Sequence, residues 1–137
     1  MRKIIASAAA ILVFSGVLFD VSAQMQNRQL SVPLGKQRVE STRKLKVKFL
    51  AVVEDSRCPE GANCIWAGAV TVKLQVMLPG KEPKTVELST LQGREMFEYE
   101  GVSIKLVSVS PYPKLNVKIR KCEYRVLLEI SRSTAPH

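Results

Sequence analysis

Hydrophobic and polar residues alternate with a period of two over most of the chain from residue 44 onward. Leu45, Val47, Phe49, Ala51 and Val53 fall on one side, with Lys44, Lys46 and Lys48 on the other. Successive side chains of an extended backbone point to opposite faces, so this pattern predicts a half-buried strand. The alternation resumes at Val70, Val72, Leu74, Val76 and Leu78, turns at Pro79-Gly80, and returns through Val86 and Leu88 as a partner strand. A third pair reads Phe97 and Tyr99, a turn at Glu100-Gly101, then Val102, Ile104 and Leu106, stopped by Pro111-Tyr112-Pro113. Leu115, Val117 and Ile119 alternate on odd positions, whereas the last strand, Tyr124, Val126, Leu128 and Ile130, alternates on even ones. A tight turn or bulge between Arg120 and Glu123 must absorb that change of parity.

Upstream, Leu30 to Leu34 has strand character but contains Pro33. Proline cannot donate to a ladder, so this short strand is predicted at a sheet edge. No segment shows convincing helical periodicity. About seven short strands separated by Gly and Pro turns predict an all-β fold, an antiparallel β-sandwich of immunoglobulin-like type, with a small β-barrel as the alternative.

The first residues follow a different pattern. Arg2 and Lys3 lead into an apolar run from Ile4 to Phe19 that closes on the small residues Val21-Ser22-Ala23. This is the layout of a secretory signal peptide, and the run is shorter than the roughly 20 residues a spanning helix needs. Residues 1–23 are therefore expected to be cleaved, leaving Gln24 as the new N-terminus, with an uncleaved anchor as the other reading. The remainder divides into an N-terminal segment, 24–43, a β-sandwich domain, 44–132, and a short tail, 133–137. No further apolar stretch offers a transmembrane anchor, so the exported chain is expected in the periplasm or outside the cell.

Composition sharpens this reading. With 46% hydrophobic and 24% charged residues the chain is too apolar for intrinsic disorder. Its formal net charge is +9, and loss of Arg2, Lys3 and Asp20 with the leader lowers it by one, to +8. Such a charge favours anionic partners: lipopolysaccharide, anionic lipid, an acidic polymer or an acidic protein surface. Nucleic acid is not expected, because export removes the protein from it and no nucleic-acid-binding motif is present. Arg43, Lys44, Lys46 and Lys48 put positive charge along one predicted strand, and Lys118, Arg120 and Lys121 form a second group. A solvated face that discourages edge pairing is the plain reading, and an electrostatic contact surface the functional one.

Between the first two long strands lies Glu54-Asp55-Ser56-Arg57-Cys58-Pro59-Glu60-Gly61-Ala62-Asn63-Cys64-Ile65-Trp66-Ala67-Gly68. In an oxidising compartment Cys58 and Cys64 are expected to pair, a closure worth about 2 kcal/mol in the chain-entropy model. That leaves Cys122 as the odd thiol. Asp55 and Arg57 read as a hydrogen-bonded pair that orders the loop, and Pro59 and Gly61 as turn formers. Trp66 is expected to pack on the disulfide within the core, as in other sandwiches, with an exposed ligand-stacking ring as the alternative.

These residues resemble the motif of small secreted proteins and lipoproteins of bacteria, in which Asp-Ser-Arg-Cys-Pro and, after a spacer, Cys, an aliphatic residue and Trp-Ala-Gly lie between two β-strands. Here the matching positions are Asp55, Ser56, Arg57, Cys58, Pro59, Cys64, Ile65, Trp66, Ala67 and Gly68. The looser strand pattern extends the likeness from Lys46 to Ile130. The resemblance implies an exported β-rich domain and no particular activity. The lipid-attachment cysteine of the lipoproteins is missing from the region of Ala23, and Cys122 lies outside the motif.

The inventory argues against catalysis. The single histidine is His137, the last residue, which leaves no dependable base for a Ser-His-Asp or Cys-His site. Glu98 and Glu100 share a strand face in polar surroundings and read as solvated charges. Glycines stand singly at turns and make no phosphate loop. The cysteine spacing fits neither a thioredoxin-like pair nor a zinc site, so neither metal nor other cofactor is expected. The expectation is a non-enzymatic binding module that meets an envelope or extracellular partner through its clamped loop, with or without the basic face. The alternatives are an inhibitor whose Arg57-Cys58-Pro59 loop enters the cleft of an exported hydrolase, and a structural domain bridged through Cys122. Burial of Arg57 against a carboxylate would remove the first of these.

Overall fold

A computed structural model describes residues 27–133. The leader assigned to residues 1–23 and the end of the tail, with His137, lie outside the described residues. Eight strands follow in order: β1 (Arg28–Pro33), β2 (Gln37–Glu40), β3 (Leu45–Asp55), β4 (Val70–Met77), β5 (Lys84–Ser89), β6 (Met96–Tyr99), β7 (Val102–Ser110) and β8 (Arg125–Arg132). They form two antiparallel four-stranded sheets, ordered β2-β3-β4-β5 and β1-β8-β7-β6. The result is a β-sandwich and not a closed barrel. Each sheet is built from hairpins between sequence neighbours, plus β1 laid against β8.

The segment 24–43 contributes to both sheets, so the sandwich starts at Arg28 and not at residue 44. β1, with Pro33 at its end, is an edge strand, as its proline predicted. β2 raises the strand number to eight. Its burial pattern does not alternate, with only Glu40 buried, and so carries little signal. The Glu40 carboxylate accepts the N–H groups of Thr42 at 3.0 Å and Arg43 at 2.9 Å. Burial pushes its pKa upward, but those backbone donors and the nearby charge of Arg43 outweigh it and hold the carboxyl below its ordinary value.

The core forms where the inner faces meet. Leu45, Val47 and Phe49 of β3 and Val70, Val72, Leu74 and Val76 of β4 face Ile104, Leu106, Val126, Leu128 and Ile130 of the other sheet, all buried. Irregularities in β3 between Phe49 and Ala51, and between Val52 and Glu54, break the expected alternation. After the first of these, Val52 packs on the core while Val53 is left exposed, reversing the faces expected for that end of the strand. A matching irregularity in β7 between Leu106 and Ser108 leaves both Val107 and Ser108 outward and brings Val109 inward.

The alternation at Leu115, Val117 and Ile119 does not become a strand. This stretch is loop, with Leu115 and Val117 exposed, and a 3-10 turn at Lys121–Glu123 leads into β8. The tight turn demanded by the parity change is present, but the residues before it form no ladder and make only isolated bridges, Lys114 with Glu60 and with Val117. The β1–β2, β3–β4, β5–β6 and β7–β8 connections leave one end of the sandwich. The opposite end is closed in part by Tyr99, whose hydroxyl donates to the Glu82 carbonyl at 2.8 Å across the layers.

Candidate functional site

The β3–β4 connection is held by a short extension of its own ladder. Ser56 N–H donates to the Ala69 carbonyl at 2.8 Å and Cys58 N–H to the Ala67 carbonyl at 3.0 Å. The Ser56 hydroxyl adds a bond to the Ala69 carbonyl at 3.0 Å and accepts the Ala69 N–H at 3.1 Å. The strands here approach so closely that a Cβ at position 68 would collide with the Ser56 carbonyl oxygen, and Gly68 takes φ +67°. Only glycine meets both conditions without strain.

Beyond this neck Cys58 and Cys64 are joined by a disulfide, with Cα atoms 5.9 Å apart. Pro59 and Gly61 form the expected turn, closed by Ala62 N–H to the Pro59 carbonyl at 3.1 Å, with Gly61 at φ +87°. The β7–β8 loop lies alongside. Glu60 N–H donates to the Pro113 carbonyl and Leu115 N–H to the Glu60 carbonyl, each at 2.9 Å. The Tyr112 hydroxyl donates to the Cys58 carbonyl at 2.9 Å.

Arg57 ties these two loops, and with them the two sheets, together. Its Nε and Nη2 donate in parallel to the Asp55 carboxylate at 2.8 and 2.7 Å. Its Nη1 donates to the Val109 carbonyl at 2.6 Å and Nη2 also to the Pro111 carbonyl at 3.0 Å. The guanidinium carbon sits 5.3 Å from the centre of the Tyr112 ring. Both charged side chains are largely withdrawn from water, at 8% exposure for Arg57 and 13% for Asp55. The Tyr124 hydroxyl donates to the second Asp55 oxygen at 2.9 Å.

Burial alone would raise the Asp55 pKa, but hydrogen bonds from Arg57 and Tyr124, with the Arg57 charge, reverse the sign and keep it below the ordinary carboxylate value. Tyr124 moves the other way. Burial first, and then its donation to a carboxylate, raise its pKa. The pair expected to order the loop does so, and Arg57 is thereby unavailable as a group that enters a hydrolase cleft.

Trp66 overturns its expectation. It is 81% exposed and its neighbour Ile65 is 93% exposed, so neither packs into the core. The core space is already filled by aliphatic residues of β3, β4, β7 and β8, while the tight Gly68 neck carries residues 65 and 66 clear of the sheets. Beside Trp66 runs a surface groove of about 370 Å³, lined by Glu54, Ser56, Ala67, Gly68, Thr71 and the half-exposed Leu91 of the β5–β6 loop. Sequence reasoning missed Leu91, Tyr112 and Tyr124 as members of this end. Leu91 stands in a stretch without periodicity, and in the sequence the two tyrosines mark a strand stop and a strand start.

No protein-family model matches the chain, and no curated protein or solved structure matches it either.

The basic residues do not form one face. Lys46 and Lys48 project outward from β3, but Lys44 lies in the β2–β3 turn with φ +56°. Lys118 and Arg120 belong to the β7–β8 loop at the opposite end, and Lys121 opens the 3-10 turn. Arg120 is engaged by Glu123 at 3.4 Å. Cys122 is exposed and unpaired. Glu98 and Glu100 do not act as a pair: Glu100 sits in the β6–β7 turn, 3.7 Å from Lys81. Among the described residues no three His, Cys, Asp or Glu side chains gather as a metal site, and no helix is long and apolar enough to cross a membrane.

Proposed function

We propose that this protein is an exported, non-enzymatic binding module whose partner is met by the tip of the disulfide-clamped β3–β4 loop. The observation that carries the reading is the contrast between tip and base. Ile65 and Trp66 are almost fully in water, yet they stand on a segment fixed by a disulfide, a hydrogen-bonded neck and the Arg57–Asp55 pair. Exposing an indole and an isoleucine side by side gives nothing to folding. Holding them on a rigid base lowers the conformational entropy lost when a partner covers them, and tryptophan is enriched among residues that dominate binding energy.

The disulfide and the leader-like N-terminus support an oxidising location outside the cytoplasm. The test uses the protein immobilised in native form against envelope extract, with the Ile65→Ser/Trp66→Ser and Lys46→Glu/Lys48→Glu variants in parallel. Loss of capture in the first and retention in the second is the expected result. Equal capture by all three forms would remove the loop tip from the function.

A further inference from the structure

The loop end carries more than the tip. The β7–β8 loop, joined to the β3–β4 loop through Glu60 and Tyr112, leaves Leu115 and Val117 exposed, at 48% and 60%. Ile65, Trp66, Leu91, Leu115 and Val117 thus all stand in water at one end of the sandwich. The same two loops carry a cationic excess. Arg57 is neutralised by Asp55 and Arg120 by Glu123, which leaves Lys114, Lys118 and Lys121 against Glu60. All three lysines are exposed, and none has a carboxylate within ion-pair distance among the described residues.

From this arrangement we infer that the loop end docks on an anionic phospholipid surface, with Ile65 and Trp66 entering the headgroup boundary and Lys114, Lys118 and Lys121 contacting lipid phosphates. The inference rests on the loop tip being the binding element, and it names the partner. An indole prefers the boundary between water and hydrocarbon, where its apolar ring is covered and its N–H stays hydrated. Lysines on a loop at the same end place their alkyl stems against the apolar layer and their ammonium groups among phosphates. Neither element suffices alone, since a single short apolar anchor binds membranes only marginally and lasting attachment takes a second, electrostatic signal. The overall positive charge of the chain acts in the same direction by drawing it toward a negative surface.

The chain has one tryptophan, so Trp66 reports its own surroundings. The purified protein is mixed with vesicles of phosphatidylcholine alone, or of phosphatidylcholine and phosphatidylglycerol in equal parts, at low and moderate salt. Sedimentation and Trp66 emission are read together. Binding only to the anionic vesicles, weakened by salt and accompanied by a shift of emission to shorter wavelength, is expected. Lys118→Ala/Lys121→Ala should weaken it about 30-fold, from roughly a fivefold loss per lysine near an anionic surface. Trp66→Ala, followed by sedimentation, should cost about tenfold or more. Lys46→Ala/Lys48→Ala, on the β3 face, should change it less than threefold, on the order of ordinary screening differences.

Failure to bind anionic vesicles, or binding with unshifted Trp66 emission, overturns the inference. So does loss of binding in the β3 variant in place of the loop variants. If vesicles are ignored while a protein is captured from extract through Trp66, the lipid assignment falls and the loop-tip function stands. If neither vesicles nor extract respond to Ile65 and Trp66, both fall together.

Discussion

Removing Arg57 tests the claim that the candidate site is a rigid platform. Arg57→Ala deletes two parallel bonds to Asp55 and takes the donor from the Val109 and Pro111 carbonyls, while Asp55 stays charged in a largely buried position. Breaking a buried ion pair from one side costs about 3–5 kcal/mol, chiefly because the remaining charge loses its compensation. Asp55 keeps the Tyr124 hydroxyl, which puts the expected loss at the lower end, about 3 kcal/mol. With a urea dependence of about 1.5 kcal/mol/M for a domain this small, the midpoint of unfolding should fall by about 2 M. The assay is urea denaturation followed by far-ultraviolet circular dichroism for Arg57→Ala, Asp55→Ala and the double variant. The double variant should lose clearly less than the two single losses added together, since each partner's penalty is the other's isolation. A loss below about 1 kcal/mol for Arg57→Ala, the level of an exposed ion pair, would refute the keystone role.

Four further outcomes follow from the same geometry. Because Trp66 stands in water, Trp66→Ser should alter stability by no more than about 0.5 kcal/mol by thermal unfolding, whereas a core tryptophan would cost about 3–5 kcal/mol. Gly68→Ala, forced against the Ser56 carbonyl at positive φ, should cost at least about 2 kcal/mol, while Gly35→Ala, also at positive φ but with open space around its Cβ, should cost about 1 kcal/mol. Replacing Cys58 and Cys64 together by serine should lower unfolding stability by about 2 kcal/mol in a paired denaturation measurement. The lowered pKa of Asp55 sets a direction for acid: its stabilising share is complete above about pH 4, the unfolded carboxyl value, and is lost as pH falls through the lower folded value. The difference in stability between wild type and Asp55→Asn should therefore shrink in that window, and a gap independent of pH would contradict the ionised pair.

Much of the architecture is legible in the order of residues. Regular alternation in β4 and β8, and in the start of β3, reports the buried face directly, since a strand between core and water needs that period. Pro33 announces an edge, and the cysteine spacing announces the Cys58–Cys64 closure. The alternation at Leu115, Val117 and Ile119 has the same look and means nothing of the kind. Periodicity measures the readiness of a segment to be a strand, but a neighbouring ladder decides whether it becomes one, and this segment makes only isolated bridges, Lys114 with Glu60 and with Val117.

The candidate site shows the same division. Asp55, Arg57, Cys58, Cys64, Pro59 and Trp66 stand out locally because turns, a disulfide and opposite charges two residues apart are short-range features. Their roles were decided by residues far along the chain: Val109, Pro111 and Tyr112 around Arg57, and Tyr124 on Asp55. Trp66 makes the point most directly. A tryptophan's composition favours burial, but the close approach at Gly68 and a core already filled from both sheets left it no interior place. The layered β fold, the clamp and the cationic balance follow from local pattern and composition, and can be read along the chain. That Arg57 is internal, that Ile65 and Trp66 are external, and that Lys118 shares an end with them while Lys46 does not, depends on which loops the sheet order brings together.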